Sequence, residues 1–182
     1  MKTNMRSFMV LLVLLASLFT PLFAEGSEYS QALGVQVGRL AGVGISYQRW
    51  QEHIGYQVAG GLLYHPEMEY GNDQLVYNIG FELQYPLVYH EVNSSLAGTL
   101  YFVGGVHHQG YREAKLTSAD PDVYSAGPLI LNLGIGGGIG VETILFKHFA
   151  ISTEFVYMGM YELNTSTLNV DMYPQVSLRY RF

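Results

Sequence analysis

Cysteine is absent from all 182 residues, so a disulfide scaffold and lipid attachment at a thiol are both excluded. Basic charge is scarce: 9 Lys and Arg stand against 15 Asp and Glu, with no basic run. A chain of this sign lacks the positive stripe that phosphate contacts need, which argues against a nucleic-acid partner. Long apolar runs are missing after the first two dozen residues. The longest uncharged apolar-rich stretch there, Pro128 to Val141, has 14 residues and carries glycine at the alternate positions 134, 136, 138 and 140. It is too short for a membrane-spanning helix, and its period of two reads as strand. The same glycines do not complete G-x-G-x-x-G, because Ile139 occupies the third glycine position.

What is present begins with a targeting pattern. Lys2 and Arg6 precede an apolar run from Phe8 to Phe19, and Leu22-Phe23-Ala24 offers a small residue for cleavage, so residues 1–24 are expected to be a signal peptide. Setting Lys2 and Arg6 aside moves the formal charge from −6 to −8 (−6 − 2) over a single expected domain, 25–182. The 15 Tyr, 9 Phe and 21 Gly favour strands relieved by glycine over helices.

Eight segments alternate between large apolar and small or polar residues. They run at about 32–39, 43–50, 54–64, 75–89, 96–111, 129–146 and 149–161, with the last from about Met172 to the end. The fourth is the clearest, with Leu75, Tyr77, Ile79, Phe81, Leu83, Tyr85, Leu87 and Tyr89 in one phase. The fifth is ambiguous, since Tyr101 and Val103 compete with Leu100, Phe102 and Val106 for the apolar phase. Short connections at 51–53, 91–95 and 147–148 alternate with longer polar ones at 66–74, 112–127 and 162–171; the tight link at Gly42 is the exception.

The apolar phase is bulky and the other phase is Gly, Ser, Gln, Asn and a few charges. A barrel that encloses a water-excluded core needs the opposite arrangement, so the large face is expected to meet lipid. Hydrocarbon leaves no backbone group unpaired, and the sheet must therefore close. The expectation is an all-β, eight-stranded, antiparallel, up-and-down transmembrane β-barrel. Tyr47, Trp50, Tyr85 and Tyr89 near one set of strand ends, and Tyr157 and Tyr161 near the other, are expected to form interfacial girdles.

The last eight residues continue the alternation to the terminus: Val176, Leu178, Tyr180 and Phe182 share one face, Ser177, Arg179 and Arg181 the other. This stretch resembles the terminal assembly signal of bacterial outer-membrane β-barrels. Gln175, Tyr180 and Phe182 fill three of its four defined positions, with Val176 and Leu178 continuing the apolar face, and Ser177 stands where glycine is usual. The mature chain as a whole resembles small outer-membrane barrels of the OmpA/OmpX-like type. That resemblance implies a bacterial outer-membrane location, contact with outer-membrane lipid and with the assembly machinery, and a monomer; a periplasmic domain of the kind some relatives carry is not expected here.

Strand alternation places Glu82, Glu142, Glu154, Arg179 and Arg181 in the lumen. Counted from the short-turn end, Arg179 is expected to bridge Glu154 and Glu142, with Arg181 nearer the exit and Glu82 higher. Eight strands leave an interior filled by side chains, so these charges are expected to specify the closed barrel. His107 and His108 are adjacent and point to opposite faces of a strand, so they cannot share a metal ion. Neither metal nor cofactor is expected, and no catalytic residue is assigned. Some small outer-membrane barrels modify lipids, but the His-x-Ser signature of the deacylases does not occur. The expected role is structural or surface-interacting, through loops bearing Glu67, Glu69, Asp73, Glu113, Asp120 and Asp122 and towards an unspecified extracellular ligand. A lipid-modifying enzyme and a narrow pore or carrier are the alternatives.

Overall fold

Alternating segments leave a row of unpaired amides on each edge, and here every strand pairs with its neighbour in chain order over part or all of its length. The computed structural model describes residues 29–51, 53–65, 74–119 and 122–182; the expected signal peptide, and Glu67, Glu69, Asp73 and Asp120, lie outside them. Strands β1 (Gln31–Val37), β2 (Gly44–Gln51), β3 (Ile54–His65), β4 (Gln74–Asn93), β5 (Leu96–Ala119), β6 (Asp122–Leu145), β7 (Phe149–Glu162) and β8 (Thr167–Arg181) follow one another without a helix among the described residues. Each pairs antiparallel with the next and β8 returns to β1, closing an up-and-down barrel. The all-β, eight-stranded fold is therefore the one the alternation called for.

The register fixes the bore. From partner to partner the path Arg179–Gly34–Ser46–Ala59–Gly80–His107–Gly134–Met160–Asn169 returns to β8 ten residues (179 − 169) from where it left. An eight-stranded barrel with this stagger is just wide enough for its interior side chains to fill it.

The two faces separate by chemistry. Outward stand Val35, Ile45, Leu62, Phe102, Ile135, Ile139, Phe155, Leu178 and many others, each between about a third and two-thirds exposed. Inward and buried are Gln36, Gln48, Gln57, Glu82, Gln84, Glu142, Glu154, Gln175, Arg179 and Arg181. In β5 the ambiguity resolves with Tyr101 and Val103 inside, and Leu100, Phe102 and Val106 outside. Tyr101 fits because its partner is Gly140, where a Cβ would lie only 2.5 Å from the tyrosine ring.

Three boundaries differ from the sequence reading. The expected 112–127 loop is a continuation of β5 and β6, paired to Ala119↔Asp122, with register shifts between Arg112 and Ala114 and between Leu116 and Ser118. Those irregularities break the period of two and hid the strands. The expected 162–171 loop shrinks to a turn, because β8 starts at Thr167, opposite Glu162. Lastly, the link at Gly42 is no simple hairpin: Leu40 and Ala41 are fully buried, and the chain dips into the lumen before β2 begins. Gly42 and Gly44 have φ of 106° and 137°, a region L side chains rarely adopt, which lets the segment turn in and out.

Candidate functional site

The lumen has two storeys. The lower, on the side of the short turns and of both ends of the barrel, is built from the polar phase of every strand. Gln48 Nε2 donates to Gln84 Oε1 at 2.8 Å, Gln84 Nε2 to Gln57 Oε1 at 3.2 Å, and Gln57 Nε2 to Gln36 Oε1. This glutamine ladder crosses four strands and ends on Arg179, which donates through Nη1 to Gln57 Oε1 and through Nη2 to Ser152 Oγ and Ser177 Oγ.

Every charge expected in the lumen is there, but the pairing differs. Arg179 Nη2 lies 3.8 Å from Glu142 Oε2, an ion pair between two side chains at most 1% exposed. Glu154 is instead held by Tyr101, whose hydroxyl donates to Oε1 at 2.6 Å, and by Gln175 Nε2, which donates to Oε2 at 2.7 Å. The cause is register: Glu154 faces Gln175 across the β7–β8 ladder, whereas Arg179 faces Ala150. Glu82 accepts from the same Gln175 Nε2 at 2.8 Å, so one amide joins two buried carboxylates. Arg181 sits lower, as expected, and donates to the carbonyl of Tyr29 at 2.6 Å. Buried carboxylates are tolerated only with such partners, and removing one member strands the others.

Gln175 also links the storeys. Its Oε1 accepts from the backbone amides of Leu40 (2.7 Å) and Ala41 (3.3 Å), while Asn78 Oδ1 accepts from Val43 N at 2.7 Å. The inward segment thus satisfies its amides on lumen side chains, and the upper storey is apolar: Leu40, Val103, Val156, Met158 and Met160 are buried together with Tyr101, with Trp50 and Tyr173 against them. The alternate glycines of β6 make room here, since a Cβ at Gly134 would run into the Met158 and Met160 side chains. Their place opposite bulky lumen residues explains why one phase of β6 is so small.

Among the proposed girdle aromatics, Tyr47, Tyr85, Tyr89, Tyr157 and Tyr161 lie on the outward face. Trp50 does not. Its partner Gly55 has no side chain, the indole lies over that gap, and its ring meets Tyr101 edge-on at 5.9 Å inside the barrel. His107 is buried in the lumen, whereas His108 lies on the other face, bonded to Tyr77 Oη and to the Asn132 carbonyl at 3.1 Å each. Of the terminal stretch, Val176, Leu178, Tyr180 and Phe182 point outward and Gln175 inward.

Two of the lumen serines, Ser152 and Ser177, bond each other at 2.5 Å and both accept from Arg179, so their hydroxyls are occupied by a cation rather than paired with a base. Sequence reasoning missed Tyr101 and the glutamines as a network. The signal was available, because Gln36, Gln48, Gln57, Gln84 and Gln175 all fall in the polar phase. Comparison with family models, with curated proteins and with solved structures finds no match to this chain.

Proposed function

We propose that the chain is a small bacterial outer-membrane β-barrel of the OmpA/OmpX-like type, with a structural or surface-interaction role and a lumen sealed by its own side chains. The observation that carries this reading is the inversion of the two faces: large apolar side chains cover the outside of all eight strands while carboxylates, guanidinium groups and amides fill the lower storey of the inside. A water-soluble monomer rarely exposes so continuous an apolar surface, whereas a lipid-facing wall requires it. Ring closure supports the same conclusion, because it leaves no open edge along the lower half of the wall. The aromatic terminus would then serve as the signal read by the assembly machinery. A lumen packed in both storeys favours a sealed barrel over a pore.

Fractionation tests this directly. The protein is expected in the outer-membrane fraction, migrating faster on a gel when unheated than when boiled. Recovery of soluble protein from the periplasm, with no heat-dependent shift, would overturn the reading. In planar bilayers the purified barrel is expected to give no conductance steps above background.

A further inference from the structure

The barrel wall is complete near the short turns and incomplete above. Pairing between β1 and β8 stops at Val37↔Val176, that between β2 and β3 stops at Ile45↔Gly60, and β8 runs on from Gln175 up to Thr167 with only β7 beside it. Among the described residues, the segment that dips into the lumen is what lies between the free edge of β8 and the top of β3.

The free edge of β8 is finished chemically. Phe182 donates to and accepts from Gln31 of β1, and residues of one parity direct their amides to the same side of a strand. Position 174 therefore faces β1, and it is proline. The next ladder pair, Arg39 with Pro174, lacks its donor, so β1 cannot continue. The next amide of that parity, Met172 N, is taken by Asp171 Oδ1 at 2.7 Å. An edge so treated is built to stay open.

Apolar side chains lie on both faces of the wall around this unpaired stretch. Outside, Val170 and Met172 on its rim are 66% and 48% exposed, and an apolar hollow of about 1230 Å3 floored by Gly44, Gly60 and Gly61 lies on the β3 flank. Inside, the buried cluster of Leu40, Met158 and Met160 lies on the lumen face of the same upper half of the wall. Methionine repacks readily around a variable guest. At the mouth the exposed Arg39 guanidinium donates to Gln109 Oε1 at 3.2 Å and lies 5.8 Å from the Tyr173 ring, with no carboxylate against it among the described residues.

We infer that this opening is a lateral binding site for an anionic single-chain amphiphile, whose acyl chain enters from the bilayer and displaces Leu40 while its headgroup meets Arg39. The inference rests on the membrane reading above, since only a bilayer would supply an apolar chain at this position. Two-chain lipids are disfavoured by the width of the lumen, and the backbone amides of Leu40 and Ala41 are accepted by a side chain, Gln175, rather than by a strand ladder.

Trp50 is the one tryptophan of the chain and packs against the apolar cluster, so it reports on the lumen. The full barrel is placed in bilayer nanodiscs and titrated with dibromostearate or, at equal bromine density, with dibrominated phosphatidylcholine. Saturable quenching of Trp50 by the fatty acid alone is expected. Arg39→Gln should raise the half-saturating concentration roughly tenfold, and Leu40→Ala should lower it several-fold by removing the competing side chain. Equal and non-saturating quenching by both lipids, no quenching by either, or weaker binding in Leu40→Ala would each overturn the inference while leaving the barrel in its membrane. Failure to enter nanodiscs, together with a soluble periplasmic location, would instead defeat the membrane reading itself.

Discussion

Arg179 and Tyr101 show what single residues do in this lumen. Arg179 pairs with Glu142 inside the barrel, and replacing it with methionine removes that buried ion pair. The expected cost is about 3–5 kcal/mol, most of which returns when Glu142→Gln is added to Arg179→Met. Urea unfolding from lipid vesicles measures the cycle, and additive losses would show that the pair does not couple. Tyr101→Phe removes one hydroxyl from Glu154 and no volume from the core. It should cost about 1–3 kcal/mol by the same assay. Glu154 was expected to face Arg179, an error of register: counting from strand ends ignores that Glu154 stands opposite Gln175.

At the scale of the strand pair, the upper parts of β5 and β6 form a hairpin that outruns its neighbours. Among the described residues β5 meets β4 no further than Val76↔Tyr111, and β6 meets β7 no further than Asn132↔Glu162, yet β5 and β6 pair on to Ala119↔Asp122. A two-residue turn joining Arg112 directly to Leu129 should therefore preserve the barrel, with unfolding free energy changed by no more than about 1 kcal/mol and the heat-dependent gel shift intact. Loss of that shift would mean that the hairpin contributes to closure. Alternation located both strands but not their true ends, because each register shift moves the following side chains to the other face and so erases the pattern.

For the molecule as a whole, the decisive quantity is the solvent outside the barrel. Ile139 is 49% exposed and pairs with Phe102 on one side and Phe155 on the other, midway along the wall. On the membrane reading Ile139→Arg should cost about 2–4 kcal/mol in vesicles; a water-facing position would tolerate it within about 0.5 kcal/mol. The period of two by itself determined eight strands, the polarity of each face and the set of charges that meet inside, because the direction of a strand side chain is a local property of the backbone. It could not decide the phase of the fifth strand, where Tyr101 and Val103 compete with their neighbours; that outcome depends on the glycine gap at position 140, on a strand distant in sequence. Trp50 shares the parity of Ser46 and Gln48, so the alternation itself places it inside, and its expected place in a girdle is corrected on that ground. Only the closed ring, with its ten-residue stagger, decided that Gln175 would join Glu82, Glu154 and the dipping segment at Leu40. Which groups meet across a lumen follows from register around all eight strands, and no single segment carries that information.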